Sequence, residues 1–90
     1  MDKTLNVKIL SLTAPLISIE NVIGIRIKSK KYNLLIMPNY LPIIGEIDGK
    51  IEIETEENST KYENIVGYYI LSKNEFTLIL RGDKDAIGSN

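Results

Sequence analysis

The chain has 90 residues and a formal net charge of −1, with 11 Lys and Arg against 12 Asp and Glu, and it contains neither His nor Cys. That length supports one domain with one small core, and near-neutral charge gives no long-range field to hold a polyanion, which argues against a nucleic-acid partner. Without thiols or imidazoles the chain lacks disulfides, thiolate metal sites, the commonest metal ligand and the commonest general base, so neither an enzyme nor a cofactor or metal site is expected.

Taken in chain order, the first periodic segment is Leu5 to Leu10, where Leu5, Val7 and Ile9 alternate with Asn6 and Lys8 at the two-residue period of a half-buried strand. Before it, Met1-Asp-Lys-Thr offers no uninterrupted apolar run of a signal peptide. No later run approaches the ~20 residues of a membrane span, so a soluble, cytoplasmic chain without direct membrane insertion is expected. Strands are predicted next at Leu16 to Ile19 and at Val22 to Lys28, where Ile23, Ile25 and Ile27 alternate with Gly24, Arg26 and Lys28. After a polar loop comes Leu34 to Met37, then Pro38-Asn-Tyr-Leu-Pro42. Its two prolines fix their own φ and push the preceding residues toward extended geometry, giving a rigid loop that presents Tyr40.

Strands at Ile43 to Ile47 and Lys50 to Thr55 flank Asp48-Gly49, which reads as a two-residue hairpin turn of type I′. Further strands are predicted at Lys61 to Val66, Tyr68 to Leu71 and Phe76 to Arg81, the last broken in its alternation by Ile79 and preceded by turn chemistry at Lys73-Asn74. The expected fold is all-β: a two-sheet β-sandwich of about nine or ten short strands over residues 1–81, followed by a flexible polar tail over 82–90.

Most short motifs have a plain reading. Glu52, Glu54, Glu56 and Glu57 form an acidic cluster whose first three share one solvated strand face, since a hard cation needs oxygens converging from several directions. Arg81-Gly82-Asp83 and the sequon Asn58-Ser59-Thr60 are chance matches at a strand end and a turn. Five tyrosines beside one Phe and no Trp are more informative, because tyrosine combines a large contact area with a hydroxyl that reaches the rim of an interface. Tyr68 and Tyr69 are consecutive, so in a strand one points inward and the other outward.

From Leu5 to Leu80 the succession of motifs resembles the N-terminal β-sandwich of the epsilon subunit of F-type ATP synthases. The residues that carry the resemblance are Leu5-Asn-Val-Lys-Ile-Leu-Ser11, Val22-Ile-Gly-Ile-Arg-Ile, Ile36-Met-Pro-Asn-Tyr-Leu-Pro-Ile-Ile44, Gly49-Lys-Ile-Glu-Ile53, Gly67-Tyr68 and Ser72-Lys-Asn-Glu-Phe-Thr-Leu-Ile-Leu80. The resemblance implies a non-catalytic subunit of the central stalk. It would be clamped to the gamma subunit, through it to the alpha/beta catalytic hexamer, and turn with gamma to couple ATP hydrolysis or synthesis to mechanical output or proton transport.

Carried over by position, the resemblance implies a gamma interface at Ser11, Met37, Pro38, Asn39, Tyr40, Leu41 and Pro42, with Tyr40 where the family carries His. The family's glycine-rich loop that faces the c-ring corresponds to Ser29, Lys30, Lys31, Tyr32 and Asn33, which lack those glycines, and this departure argues against docking to an ordinary c-ring. The family's two-helix C-terminal hairpin has no counterpart here, so helical inhibition and nucleotide sensing by that route are not expected. Together the departures resemble the F-type-like ATPases of mycoplasma gliding machinery. From the residues alone, the alternative is a small-ligand or carbohydrate-binding sandwich with Tyr40, Tyr68 or Tyr69 as stacking platform.

Overall fold

A computed structural model describes residues 3–83, all of whose regular elements are strands: β1 (Leu5–Leu10), β2 (Ile17–Ser29), β3 (Asn33–Ile36), β4 (Ile43–Thr55), β5 (Ser59–Ser72) and β6 (Glu75–Asp83). Strand order is β1-β6-β5-β4-β2-β3, and an additional β1–β2 pairing closes the first five into a ring. The fold is therefore a closed five-strand barrel with β3 as an extra strand on β2, flattened to 45 × 27 × 20 Å. No helix among the described residues is long and apolar enough to cross a membrane.

This corrects the expected two-sheet sandwich of nine or ten strands. The predicted pieces Leu16 to Ile19 and Val22 to Lys28 are one strand, as are Ile43 to Ile47 with Lys50 to Thr55, and Lys61 to Val66 with Tyr68 to Leu71. What read as punctuation is a set of β-bulges, each adding a residue to one strand and bending it. Register shifts fall between Val22 and Gly24, Gly49 and Ile51, and Val66 and Gly67. Asn21 and Asn64, at φ 60° and 57°, supply the left-handed backbone beside two of them.

The Asp48-Gly49 hairpin is also corrected. Both residues lie within β4, opposite Val66 and Ile65, and Gly49 does not take the positive φ that a type I′ turn requires. The turn with that geometry is Lys73-Asn74, at φ 52° and 62°, between the paired Ser72 and Glu75 of β5 and β6. Of the expected polar tail at 82–90, Gly82 and Asp83 belong to β6, and 84–90 lie outside the described residues.

Alternation places the core where period-two reading puts it. Leu5, Val7 and Ile9 of β1 face Ile25 and Ile27 of β2, Ile51 and Ile53 of β4, Tyr69 and Leu71 of β5, and Phe76 and Leu78 of β6, all buried in one cluster. Two glycines permit the bends. A Cβ on Gly49 would stand 2.1 Å from the Lys28 carbonyl oxygen, and one on Gly67 would stand 2.2 Å from that of Ile79, so the neighbouring strand crosses where a side chain would sit. By contrast a Cβ on Gly24 meets only Met37 Sδ at 3.7 Å and the Ile36 carbonyl oxygen at 3.9 Å. Gly67→Ala is therefore expected to lower stability in urea unfolding by roughly 2–4 kcal/mol, whereas Gly24→Ala changes it by less than about 1 kcal/mol.

Candidate functional site

Three surface regions carry the residues singled out by sequence. The first is the proline loop between β3 and β4. Asn39 adopts φ 68°, and the Tyr40 backbone N–H donates to the Met37 carbonyl at 3.2 Å, closing a tight turn. The loop is held by Asn74, the one buried polar residue among those described. Its Oδ1 accepts from the Asn39 backbone N–H at 2.6 Å, its Nδ2 donates to Asn39 Oδ1 at 3.1 Å, and its carbonyl accepts from the Asn6 N–H at 2.9 Å. One residue thus ties the proline loop to the β5–β6 turn through its side chain and to the start of β1 through its backbone carbonyl. Met37, Tyr40 and Leu41 are exposed on this anchored loop, Leu41 to 76%.

The second region is the β2–β3 loop, Ser29 to Asn33. Ser29 Oγ accepts from the Asp48 N–H at 3.0 Å, the Lys30 N–H donates to the Asp48 carbonyl at 3.0 Å, and Lys30 Nζ stands 3.7 Å from the Asp48 carboxylate. The Tyr32 hydroxyl bonds to the Glu46 carbonyl and lies 2.7 Å from the Tyr69 hydroxyl. Lys31 and Asn33 are exposed. The loop is laced onto the bend of β4, and Asp48 serves as its anchor rather than as a turn residue. Tyr69 reaches this junction from the core, stacked on Phe76 at 5.5 Å between ring centroids and lying over Gly45, which has no room for a Cβ beneath the ring.

The third region was not singled out by sequence. Cross-strand register sets Ile44 beside Ile70 and Ile70 beside Thr77, with the next row formed by Glu46, Tyr68, Ile79 and Leu10. Ile44, Ile70, Tyr68, Ile79 and Leu10 are all exposed, Ile44 to 78%. The outer face of β4, β5, β6 and β1 is thus a connected apolar surface, continued by exposed Leu12 and Leu16 past the end of β1. Contiguous exposed apolar surface of this kind marks interaction sites. A signal existed in the sequence: Ile43-Ile44, Tyr68-Tyr-Ile-Leu71 and Leu78-Ile-Leu80 are apolar on both faces, the pattern of strands covered on both sides.

This face also relates the expected interface residues to one another. Ser11 follows β1, whereas Asn6 at the other end of β1 bonds to Asn74, the holder of the proline loop. At ~3.3 Å of rise per residue, Ser11 and the loop Met37 to Pro42 are on the order of 15 Å apart and do not form one cluster. Of the candidate stacking tyrosines, Tyr69 is buried, Tyr68 lies under the Arg81 guanidinium at 5.9 Å, and Tyr40 is exposed. No cluster of His, Cys, Asp or Glu able to hold a metal occurs among the described residues, Glu52 to Glu57 included.

No protein-family model matches the chain, and no curated protein does. Among solved structures the chain is similar to one in a cryo-EM structure of the Tetrahymena thermophila mitochondrial ATP synthase, described as central stalk/c-ring. The TM-score is 0.69 at 15% identity, over 88% of this chain and 64% of that one. At that identity the likeness is one of fold. It corrects the resemblance to the epsilon subunit. The matched chain is identified by its place in a central-stalk and c-ring assembly, no family model joins this sequence to the epsilon family, and the barrel replaces the sandwich on which the resemblance rested. The present chain spans 64% of its neighbour's length.

Asn74→Ala leaves the Asn39 amide without its acceptor and is expected to destabilise the fold by roughly 1–3 kcal/mol, with faster hydrogen exchange at Asn39 and Tyr40. Burial, and then the Tyr32 hydroxyl, push the Tyr69 phenol well above its ordinary value. The folded state therefore keeps this proton while the unfolded chain releases it. The stability contributed by neutral Tyr69 is fully present below pH ~10 and declines as pH rises beyond it. Urea midpoints compared between pH 8 and 11 are expected to fall more steeply in the wild-type protein than in Tyr69→Phe.

Proposed function

We propose that this chain is a non-catalytic component of the central stalk of a rotary ATPase, seated on the gamma subunit and turning with it. The observation that carries the reading is the apolar outer face of β4, β5, β6 and β1, continuous with exposed residues at both of its ends. The fold likeness to a chain of an ATP synthase central stalk and c-ring structure supports it.

On this reading Tyr40 and Leu41, stiffened by Pro38, Pro42 and the Asn39–Asn74 bonds, grip one end of the contact, and Ser11 with Leu12 grips the other. Ile44, Ile70, Tyr68 and Ile79 form the desolvated middle. A well-packed apolar centre with anchored aromatic residues is the arrangement that concentrates binding energy, and full burial of an exposed Ile contributes about 1.5–3 kcal/mol. The role is mechanical: a closed barrel whose proline loop is pinned by Asn74 transmits torque without chemistry of its own.

The test is capture of partners from native cells by the tagged chain, with mass spectrometry of the stoichiometric proteins. Gamma with alpha and beta is the expected recovery, and capture of no rotary-ATPase subunit contradicts the proposal. Ile44→Asp, at a side chain too exposed to matter for folding, is expected to weaken gamma binding by about tenfold or more, on the order of 1.4 kcal/mol. Unchanged affinity would remove the sheet face from the interface.

A further inference from the structure

The outer face on the opposite side of the barrel has a different chemistry. On it β2, β4 and β5 bring together Arg26, Lys28, Lys50 and Lys61 around a solvent-open hollow of about 70 Å³ floored by Ile51 and flanked by Glu52. Register explains the convergence. Lys28 stands directly opposite Lys50, and Arg26 opposite Glu52, which in turn stands opposite Lys61. Same-face neighbours along a strand are ~7 Å apart and cross-strand partners ~5 Å, so Arg26, Lys28 and Lys50 form a triangle whose flexible side chains reach a common point.

This arrangement is unfavourable as it stands. Like charges directly opposite on a sheet repel, and among the described residues no carboxylate lies within 4.0 Å of any of these four cations. Of the residues lining the hollow only Glu52 is a carboxylate, and it is engaged by the Ser59 hydroxyl at 2.7 Å, while Asp48 and Glu63 stand at an adjoining hollow that Lys28 and Lys50 also line. That hydrogen bond, with Lys61, Arg26 and Lys28 nearby, holds Glu52 below the usual carboxylate range. Glu52 is therefore ionised and offsets one charge of the four. The lining itself keeps an excess of three positive charges around a hollow large enough for one tetrahedral oxyanion, with Asp48 and Glu63 beyond its rim, on a protein whose overall charge is −1.

We propose that this hollow binds a phosphate-bearing anion, with the Arg26 guanidinium offering a planar fork to two of its oxygens and Lys28 and Lys50 acting as point charges on the others. The anion relieves the Lys28–Lys50 repulsion. The site lies away from the apolar face and does not depend on the proposed attachment to a central stalk. No covalent step is involved.

The test is an amide-resolved NMR titration of the full chain with pyrophosphate, run against sodium chloride at equal ionic strength, with a parallel flotation assay on phosphatidylglycerol vesicles. The expected result is a saturable shift confined to residues around 26, 28, 50 and 61. Lys28→Gln with Lys50→Gln should weaken it about tenfold or more, and Glu52→Gln should strengthen it by about threefold, because one repelling carboxylate is removed. Lys28 and Lys50 are exposed and Glu52 is half-buried, and the dispersed spectrum itself reports that the fold is kept.

Saturation by pyrophosphate without flotation assigns the site to a free phosphate compound. Flotation that is lost in the double variant, without pyrophosphate saturation, assigns it to a lipid headgroup. Shifts that chloride reproduces, or a response unchanged in the double variant in both assays, overturn the proposal.

Discussion

The structure depends on the close passage of backbones at Gly49 and Gly67. At each, a neighbouring carbonyl occupies the volume of a Cβ, and a bulge in a partner strand lets the pairing bend instead of end. Because β4 and β5 bend without breaking, each pairs along its whole length, and β1 can close the ring between β6 and β2. Closure gives a chain this short one continuous core and leaves few edges. It also fixes which residues look outward, and on which side.

The consequence is a barrel with two unlike outer faces. One carries Ile44, Ile70, Tyr68, Ile79 and Leu10; the other carries Arg26, Lys28, Lys50, Glu52 and Lys61. Neither face takes part in the core, so the hydrophobic effect that holds the barrel together does not account for the apolar one. Two loops are also pinned: Asn74 anchors the proline loop at one end of the apolar face, and Asp48 with Tyr32 and Tyr69 anchors the β2–β3 loop onto the bend of β4. A loop held in one conformation loses less entropy on binding, which suits the proposed attachment.

How much of this the sequence contained differs by feature. Period-two alternation located β1 from Leu5 to Leu10 and nearly all of the core, because burial on one face is a local property of each strand. Continuity was not legible. Asp48-Gly49 carries the residue types of a tight turn, but the carbonyl that excludes a Cβ at Gly49 belongs to Lys28, and nothing local encodes that approach. The reverse held at Lys73-Asn74, where two consecutive positive φ angles sit at residues less suggestive than Asp-Gly. Isolated tyrosines and prolines pointed to the ends of the candidate interface. Its middle is defined by which strands lie side by side, and only the broken alternation at Ile79 and Ile44 hinted at it.

On the proposed function the apolar outer face, and not the charged one, seats this chain on its partner. The absence of Cys makes a direct measurement available, since a single introduced thiol reports its own accessibility. Ile70→Cys and Glu54→Cys, one on each outer face, would be labelled with a water-soluble maleimide in the free chain and in the complex recovered from native cells. Both are expected to react in the free chain, and in the complex position 70 is expected to be protected while position 54 stays reactive. Equal reactivity of position 70 in both states, or protection of position 54 alone, would contradict it.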